Sequence, residues 1–156
     1  MTTKPLEYQA TAIRTIHRSD YEALTQLHQR VSEISLYWRY LSYTPPTPDE
    51  LRAMCAVGSR GVVVLSGQQM IGFGYYVPRH RAAEMALLVA DQYQRQGIGS
   101  RLFGEMVTRA RNEGITTFEA IASADNRALI SLLRRSGLNF RSQFDCGFRE
   151  ISIDLD

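Results

Sequence analysis

The run from Glu84 to Ser100 constrains this chain more than any other stretch. Its first part, Glu84-Met85-Ala86-Leu87-Leu88-Val89, is apolar and reads as a strand; a polar turn follows. Gln94-x-x-Gly97-x-Gly99 then opens directly into an amphipathic helix. A strand, a glycine turn and a helix N-terminus in that order make an anion site. The glycines let the backbone approach closely, successive N–H groups point at one spot, and the helix dipole favours negative charge there. Phosphate is the expected occupant.

Other readings compete with that one. The plainest is a tight strand-to-helix connection with no ligand, since Gly-x-Gly arises often by chance. A Rossmann dinucleotide site wants a third glycine where Leu102 stands. A Walker loop wants Gly-Lys-Ser/Thr, and there is no lysine in this turn.

With 156 residues the chain suits one domain, residues 1–156, with one full core. Apolar residues make 44% and charged residues 22%, and a net charge of +2 is spread without a long like-charge run. Nothing in that balance asks for nucleic acid or a membrane. No apolar stretch approaches the roughly 18 residues of a transmembrane helix, and the polar N-terminus lacks a signal-peptide core, so the cytoplasm is the expected compartment. Cys55 and Cys146 have neither paired spacing nor enough histidine company for a metal site, so both are expected to be buried, reduced thiols.

The elements read in the order βααβββαβαββ. Gln9 to Ile16 forms a first strand. Ser19-x-x-Glu22 is a capping box that starts a helix with Leu24, Leu27 and Val31 on one face. A second helical stretch carries Ile34 to Leu41, and Thr44-Pro45-Pro46 ends it. Thr47-Pro48-Asp49-Glu50 starts another short helix. Gly61–Leu65 and Met70–Val77 form a hairpin, Pro78-Arg79-His80-Arg81 turns the chain, and a fourth strand covers 83–89. After the glycine loop, Leu102, Phe103, Met106, Val107 and Ala110 give a helical stripe that Gly114 ends. Thr116 to Ile121 is a strand, Asn126 to Arg135 a helix, and two strands close the sheet at Phe140–Phe144 and Phe148–Leu155.

Gln94-x-x-Gly97-x-Gly99 resembles the acetyl-CoA pyrophosphate loop of the GNAT acyltransferases, Gln/Arg-x-x-Gly-x-Gly/Ala. The element order is similar to that fold over about residues 9–155. Four stretches resemble the catalytic domain of bacterial Pat-type protein lysine acetyltransferases: Ile13-Arg14-x-Ile16-x-x-x-Asp20, Ser35-x-Tyr37-x-Arg39-Tyr40, Ala83-Glu84-Met85-Ala86-x-x-Val89, and Asp125-Asn126-Arg127-Ala128. The resemblance implies an α/β single-domain GNAT fold, with helices on both faces of a mixed central sheet that splays between its fourth and fifth strands.

It also implies a cofactor site. Main-chain groups of Leu87, Leu88 and Val89 would pair with the pantetheine amides as with an added strand. Arg95, Gln96, Gly97, Ile98, Gly99 and Ser100 would cradle the pyrophosphate, with Gln94 ordering the turn and Arg95 or Arg101 adding charge. Asn126 matches the asparagine that helps hold the pantetheine arm; read by itself, it is a helix N-cap. Acetyl-CoA is the implied cosubstrate, without a metal.

Glu84 is the residue implied for the chemistry. An acceptor lysine arrives as an ammonium with a reference pKa of about 10.4 and must lose a proton before it attacks a thioester. A carboxylate in a partly apolar cleft beside the thioester can take that proton, directly or through water. The plain alternative is a strand-end glutamate in solvent. His80, one turn earlier, is a second candidate base. Many GNATs also place a tyrosine seven residues after the asparagine to protonate the departing thiolate. That position is Leu133 here, so no general acid is assigned. The cluster Tyr37, Trp38, Arg39, Tyr40 and Tyr43 lies where the resemblance places the acceptor wall, and for Trp38 packing against the sheet is the plainer reading.

Two functions follow. One is an N-acetyltransferase acting on a primary amine, a protein lysine first and a small-molecule amine second. The other is a non-catalytic acyl-CoA-binding regulatory module.

Overall fold

Runs rich in β-branched and aromatic residues, punctuated by glycine turns, build seven strands among the described residues. They are β1 (Thr11–Thr15), β2 (Gly61–Ser66), β3 (Gln69–Arg79), β4 (Ala82–Val89), β5 (Thr117–Ser123), β6 (Phe140–Asp145) and β7 (Phe148–Asp154). The computed structural model describes residues 11–156, so Gln9 and Ala10 of the expected first strand lie outside the described residues. Among the described residues five α-helices accompany the strands: α1 (Tyr21–Arg30), α2 (Glu33–Tyr40), α3 (Pro48–Met54), α4 (Ile98–Asn112) and α5 (Arg127–Ser136). The short helix expected to start at Thr47-Pro48 is α3. Thr47 caps it by accepting the Glu50 N–H at 3.2 Å, with Pro48 in the first turn.

The start of α1 differs from expectation. The Ser19-x-x-Glu22 box does not form; a 3₁₀ turn at Arg18–Asp20 leads in, and α1 begins at Tyr21. The Asp20 carboxylate accepts the His17 N–H at 2.7 Å and takes both guanidinium nitrogens of Arg14 at 2.8 and 2.9 Å. Charge-assisted bonds of this kind outcompete a serine hydroxyl. The Arg14 guanidinium holds the Asp20 carboxyl below the usual carboxylate range. The turn after β3 is also shorter than expected. β3 runs on through Pro78 to Arg79, leaving His80, with φ of 57°, to turn the chain. Cys55 is buried as expected, but Cys146 is exposed in the β6–β7 turn.

One mixed sheet results, in the order β1-β2-β3-β4-β5-β7-β6. Its neighbours are antiparallel except β4 and β5. Helices cover both faces. The stripe Ile98, Leu102, Phe103, Met106, Val107 and Ala110 of α4 is buried against one of them. Gly74 permits that approach: a Cβ there would lie 2.6 Å from Met106 Sδ. Residues paired across antiparallel strands share a face, so Tyr75 with Ala86, and Val77 with Glu84, belong to the opposite one. There α1 packs on β3, and α2 reaches over β4 and β5. No helix among the described residues is long and apolar enough to cross a membrane.

The β4–β5 seam is short. Only Ala82, Ala83 and Glu84 pair with Thr117, Phe118 and Glu119. Beyond that rung β4 stays bonded to β3, and β5 to β7, but the two strands part. The sheet is splayed where the sequence reading expected it, leaving main-chain groups of β4 and β5 facing a gap.

Candidate functional site

The splay has two ends. At the far end of β4 the chain passes through a short 3₁₀ turn, Asp91–Tyr93, into the loop before α4. Gln94 ties this loop down: its Nε2 donates to the Val89 carbonyl at 3.0 Å and to Ser35 Oγ of α2 at 3.2 Å. Arg95 and Gly97 adopt left-handed backbone, φ 63° and 86°, and Gly97 is the N-cap residue of α4. No side chain caps this helix, and its hydrogen-bond ladder opens with the Arg101 N–H on the Gly97 carbonyl at 3.0 Å. The amides of Ile98, Gly99 and Ser100 therefore stand without an intrahelical partner at the positive end of a 15-residue helix. That arrangement can hold an anion through the main chain alone.

The two glycines serve different needs. A Cβ on Gly97 would meet nothing within 4 Å, so its requirement is the positive φ. A Cβ on Gly99 would lie 3.1 Å from Leu132 Cδ1, so Gly99 lets α5 approach α4. Arg101 is spoken for, donating to Thr11 Oγ1 at 2.5 Å, whereas Arg95 is exposed.

At the near end of the splay lies a cleft of about 980 Å³, with Arg39, Tyr75, Arg79, Glu84, Glu119 and Glu150 among its lining. Glu84 occupies the last paired rung of β4 and β5. Its side chain is 62% exposed and ion-paired to Arg79 at 3.0 Å, in a cleft that mixes charged groups with apolar residues such as Val77, Ala86 and Ile121. The same Arg79 nitrogen lies 3.4 Å from Glu119. Arg39 of α2 donates to Tyr75 Oη at 2.6 Å and packs between the rings of Tyr40 and Tyr75, 4.2 and 5.0 Å from their centroids. Behind this wall His28 is buried. Its Nδ1–H donates to the Leu24 carbonyl at 2.8 Å, so Nε2 accepts the Tyr40 hydroxyl at 2.6 Å. Burial pushes the His28 imidazole down and the Tyr40 phenol up to about 12. Among the described residues no group of three or more His, Cys, Asp or Glu could hold a metal ion.

The structure thus sets the expected residues out along β4 and the segment that follows it: Glu84 at the cleft, Leu87, Leu88 and Val89 beside the gap, and residues 94–100 in the loop and the first turn of α4. Five residues of strand separate Glu84 from Val89, about 17 Å. Asn126 caps α5, its side-chain oxygen accepting the Leu129 N–H at 3.2 Å. Leu133 is fully buried and supplies no proton. His80 is exposed in the turn and is not among the cleft-lining residues. Trp38 is half-buried, and its Nε1–H donates to Asp125 Oδ1 at 3.3 Å rather than ending in the core. Sequence reasoning missed Tyr75, Arg79 and Glu119. Each sits on a strand or turn with no local motif, and only strand register brings them to Glu84.

A model of the Acetyltransferase (GNAT) family matches residues 13–138. The chain belongs to that family, which makes it an enzyme of acetyl transfer with acetyl-CoA as cosubstrate. It is 40% identical to the acetyltransferase Pat of Mycolicibacterium smegmatis over 55 residues, 35% of this chain but only 16% of that protein. The GNAT domain of S. lividans PAT shares the fold with a TM-score of 0.84 at 22% identity, covering 97% of this chain and 99% of that one. The PaiA N-acetyltransferase of Thermoplasma acidophilum, solved in complex with coenzyme A, superposes with a TM-score of 0.77 at 16% identity, over 93% of this chain and 99% of that one.

Proposed function

We propose that the chain moves the acetyl group of acetyl-CoA to a primary amine, a protein lysine before a small-molecule amine, with Glu84 as general base. The observation that carries this is the place of Glu84: a carboxylate facing an open cleft at the rung where β4 and β5 part. The pyrophosphate would rest on the α4 amides within residues 95–100, and the pantetheine along Leu87, Leu88 and Val89, with Asn126 keeping its amide nitrogen for that arm while its oxygen caps α5. The complex of the PaiA enzyme with coenzyme A supports a cofactor in this fold. The lysine reading rests on the Pat-like stretches around Arg39 and Glu84 and on the short Pat match. Two unpaired cysteines fit a reducing compartment such as the cytoplasm.

In this reading Glu84 exchanges its Arg79 contact for the acceptor ammonium and takes its proton, and the free amine attacks the thioester carbonyl. The adduct sheds its remaining extra N–H proton to solvent, and the C–S bond breaks with its electron pair on sulfur. A thiolate of pKa about 8.5 leaves without full protonation, which suits a site where Leu133 offers no acid.

The test is CoA release from acetyl-CoA with proteins, peptides, polyamines and aminoglycosides as acceptors. Glu84→Gln should keep acetyl-CoA affinity within a few-fold and lower turnover by roughly 10²-fold at neutral pH. The loss should shrink toward pH 9, as the acceptor begins to deprotonate in bulk water. Wild-type rates in the variant across pH 6.5 to 9 would remove Glu84 from the role. A wild type that binds acetyl-CoA and acetylates nothing would be a sensor module instead.

A further inference from the structure

The Arg79 side chain ends where the proposed reaction needs its second substrate. A single nitrogen, Nη2, lies 3.0 Å from Glu84 Oε1 and 3.4 Å from Glu119 Oε2. The two glutamates are register partners on the parallel β4–β5 rung, so their side chains leave the sheet side by side on the floor of the cleft. Like charges so placed repel, and a cation between them relieves that repulsion. A guanidinium at full strength grips one carboxylate through two parallel N–H groups. Arg79 instead offers one nitrogen to two carboxylates, the arrangement a primary ammonium with its three donors makes. The Arg79 side chain is also 63% exposed, at the end of β3 beside the His80 turn, so little holds it there.

Resting on the reading that an acceptor amine enters this cleft toward Glu84, we propose that Glu84 and Glu119 together seat the acceptor's ammonium, and that Arg79 fills the seat until the acceptor displaces it. Glu119 is then a specificity-determining residue, because the second carboxylate selects a charged amine over a neutral isostere. Arg79 is a built-in competitor for the same seat. When the ammonium has replaced it, one N–H bond of the acceptor breaks as an O–H bond forms on Glu84. Glu119 stays ionised, and Arg79 is free to return to it.

Binding without turnover tests this. The protein, saturated with CoA rather than acetyl-CoA, is titrated by NMR at low ionic strength with Nα-acetyl-lysine methylamide, and in parallel with the neutral Nα-acetyl-norleucine methylamide. Arg79→Gln should tighten the lysine probe about two- to fivefold and Glu119→Gln should weaken it about two- to fivefold, the range of exposed ion pairs. The norleucine probe and CoA affinity should not move in either variant. An unchanged or weaker lysine probe in Arg79→Gln, or an unchanged one in Glu119→Gln, overturns the proposal. A norleucine probe that shifts in parallel overturns it too, since the cleft's shape would then be what changed. So does a lysine probe that neither wild type nor Arg79→Gln takes up. Because no step is catalysed, a Glu84→Gln enzyme of undiminished rate would defeat the general-base reading and leave this titration to decide the seat on its own.

Discussion

The loop before α4 and the cleft at Glu84 stand at opposite ends of β4 and are made of different material. The loop presents main-chain amides of Ile98, Gly99 and Ser100, and asks of the sequence only that Gly97 turn left-handed and that Gln94 fasten the turn. The cleft is made of side chains: Arg39 from α2, Tyr75 and Arg79 from β3, Glu84 from β4, Glu119 from β5. A main-chain site writes itself as a local motif, because backbone geometry is what it needs. A side-chain site is assembled by register between distant segments and leaves no motif.

If the loop works through its backbone, the largest effect should come from distorting it. Gly97→Val forces a β-branched residue to φ of 86° and should weaken CoA about ten- to a hundredfold by calorimetry. Arg95→Ala, which removes only a side chain, should change it less than threefold. Equal losses in the two would break the contrast. Gly97 is the better probe, since a side chain at Gly99 would strike Leu132 and disturb α5 as well.

Gln94→Ala comes next and asks whether the two ends are independent. It removes the bonds to Val89 and Ser35, about 1 kcal/mol each, and should lower Tm by about 4–8 °C. CoA binding should weaken with it, while the lysine probe at the cleft stays within twofold. A matching loss at the cleft would show that Ser35 carries the loop's order into α2.

The smallest effect is titration of the cleft wall. Burial lowers the His28 value in the folded state, so the stability it contributes is complete above the unfolded value near 6.5. That stability declines as pH falls from there toward the folded value, by at most about 1.4 kcal/mol per pH unit for one proton. Thermal melts from pH 7 to 5 should show the decline in wild type and a flatter profile in His28→Gln. Parallel profiles would remove His28 as the source.

The same contrast explains what was legible beforehand. The α4 stripe, the Gly97–Gly99 loop and the short helix at Thr47-Pro48 are local patterns and stand where the sequence puts them. Ser19 failed as a cap because Asp20, one residue on, had Arg14 within reach, six residues back on β1. Arg79 read as part of a turn and Glu119 as ordinary strand; the β3–β4 hairpin brings the first to Glu84, and the parallel β4–β5 rung brings the second. Cys146 read as buried by residue type, and a hairpin turn at the sheet edge exposes it.

Trp38 has a practical consequence. It is the chain's one tryptophan, and its indole nitrogen bonds Asp125, in the turn between β5 and α5, from a helix in the first third of the chain. α2 reaches over both β4 and β5, so a ligand held between those strands would lie beside the elements that this bond joins. The protein thus carries an optical strain gauge across its own opening: fluorescence excited at the indole band reports from a single place, with no label attached and no second indole to blur the signal.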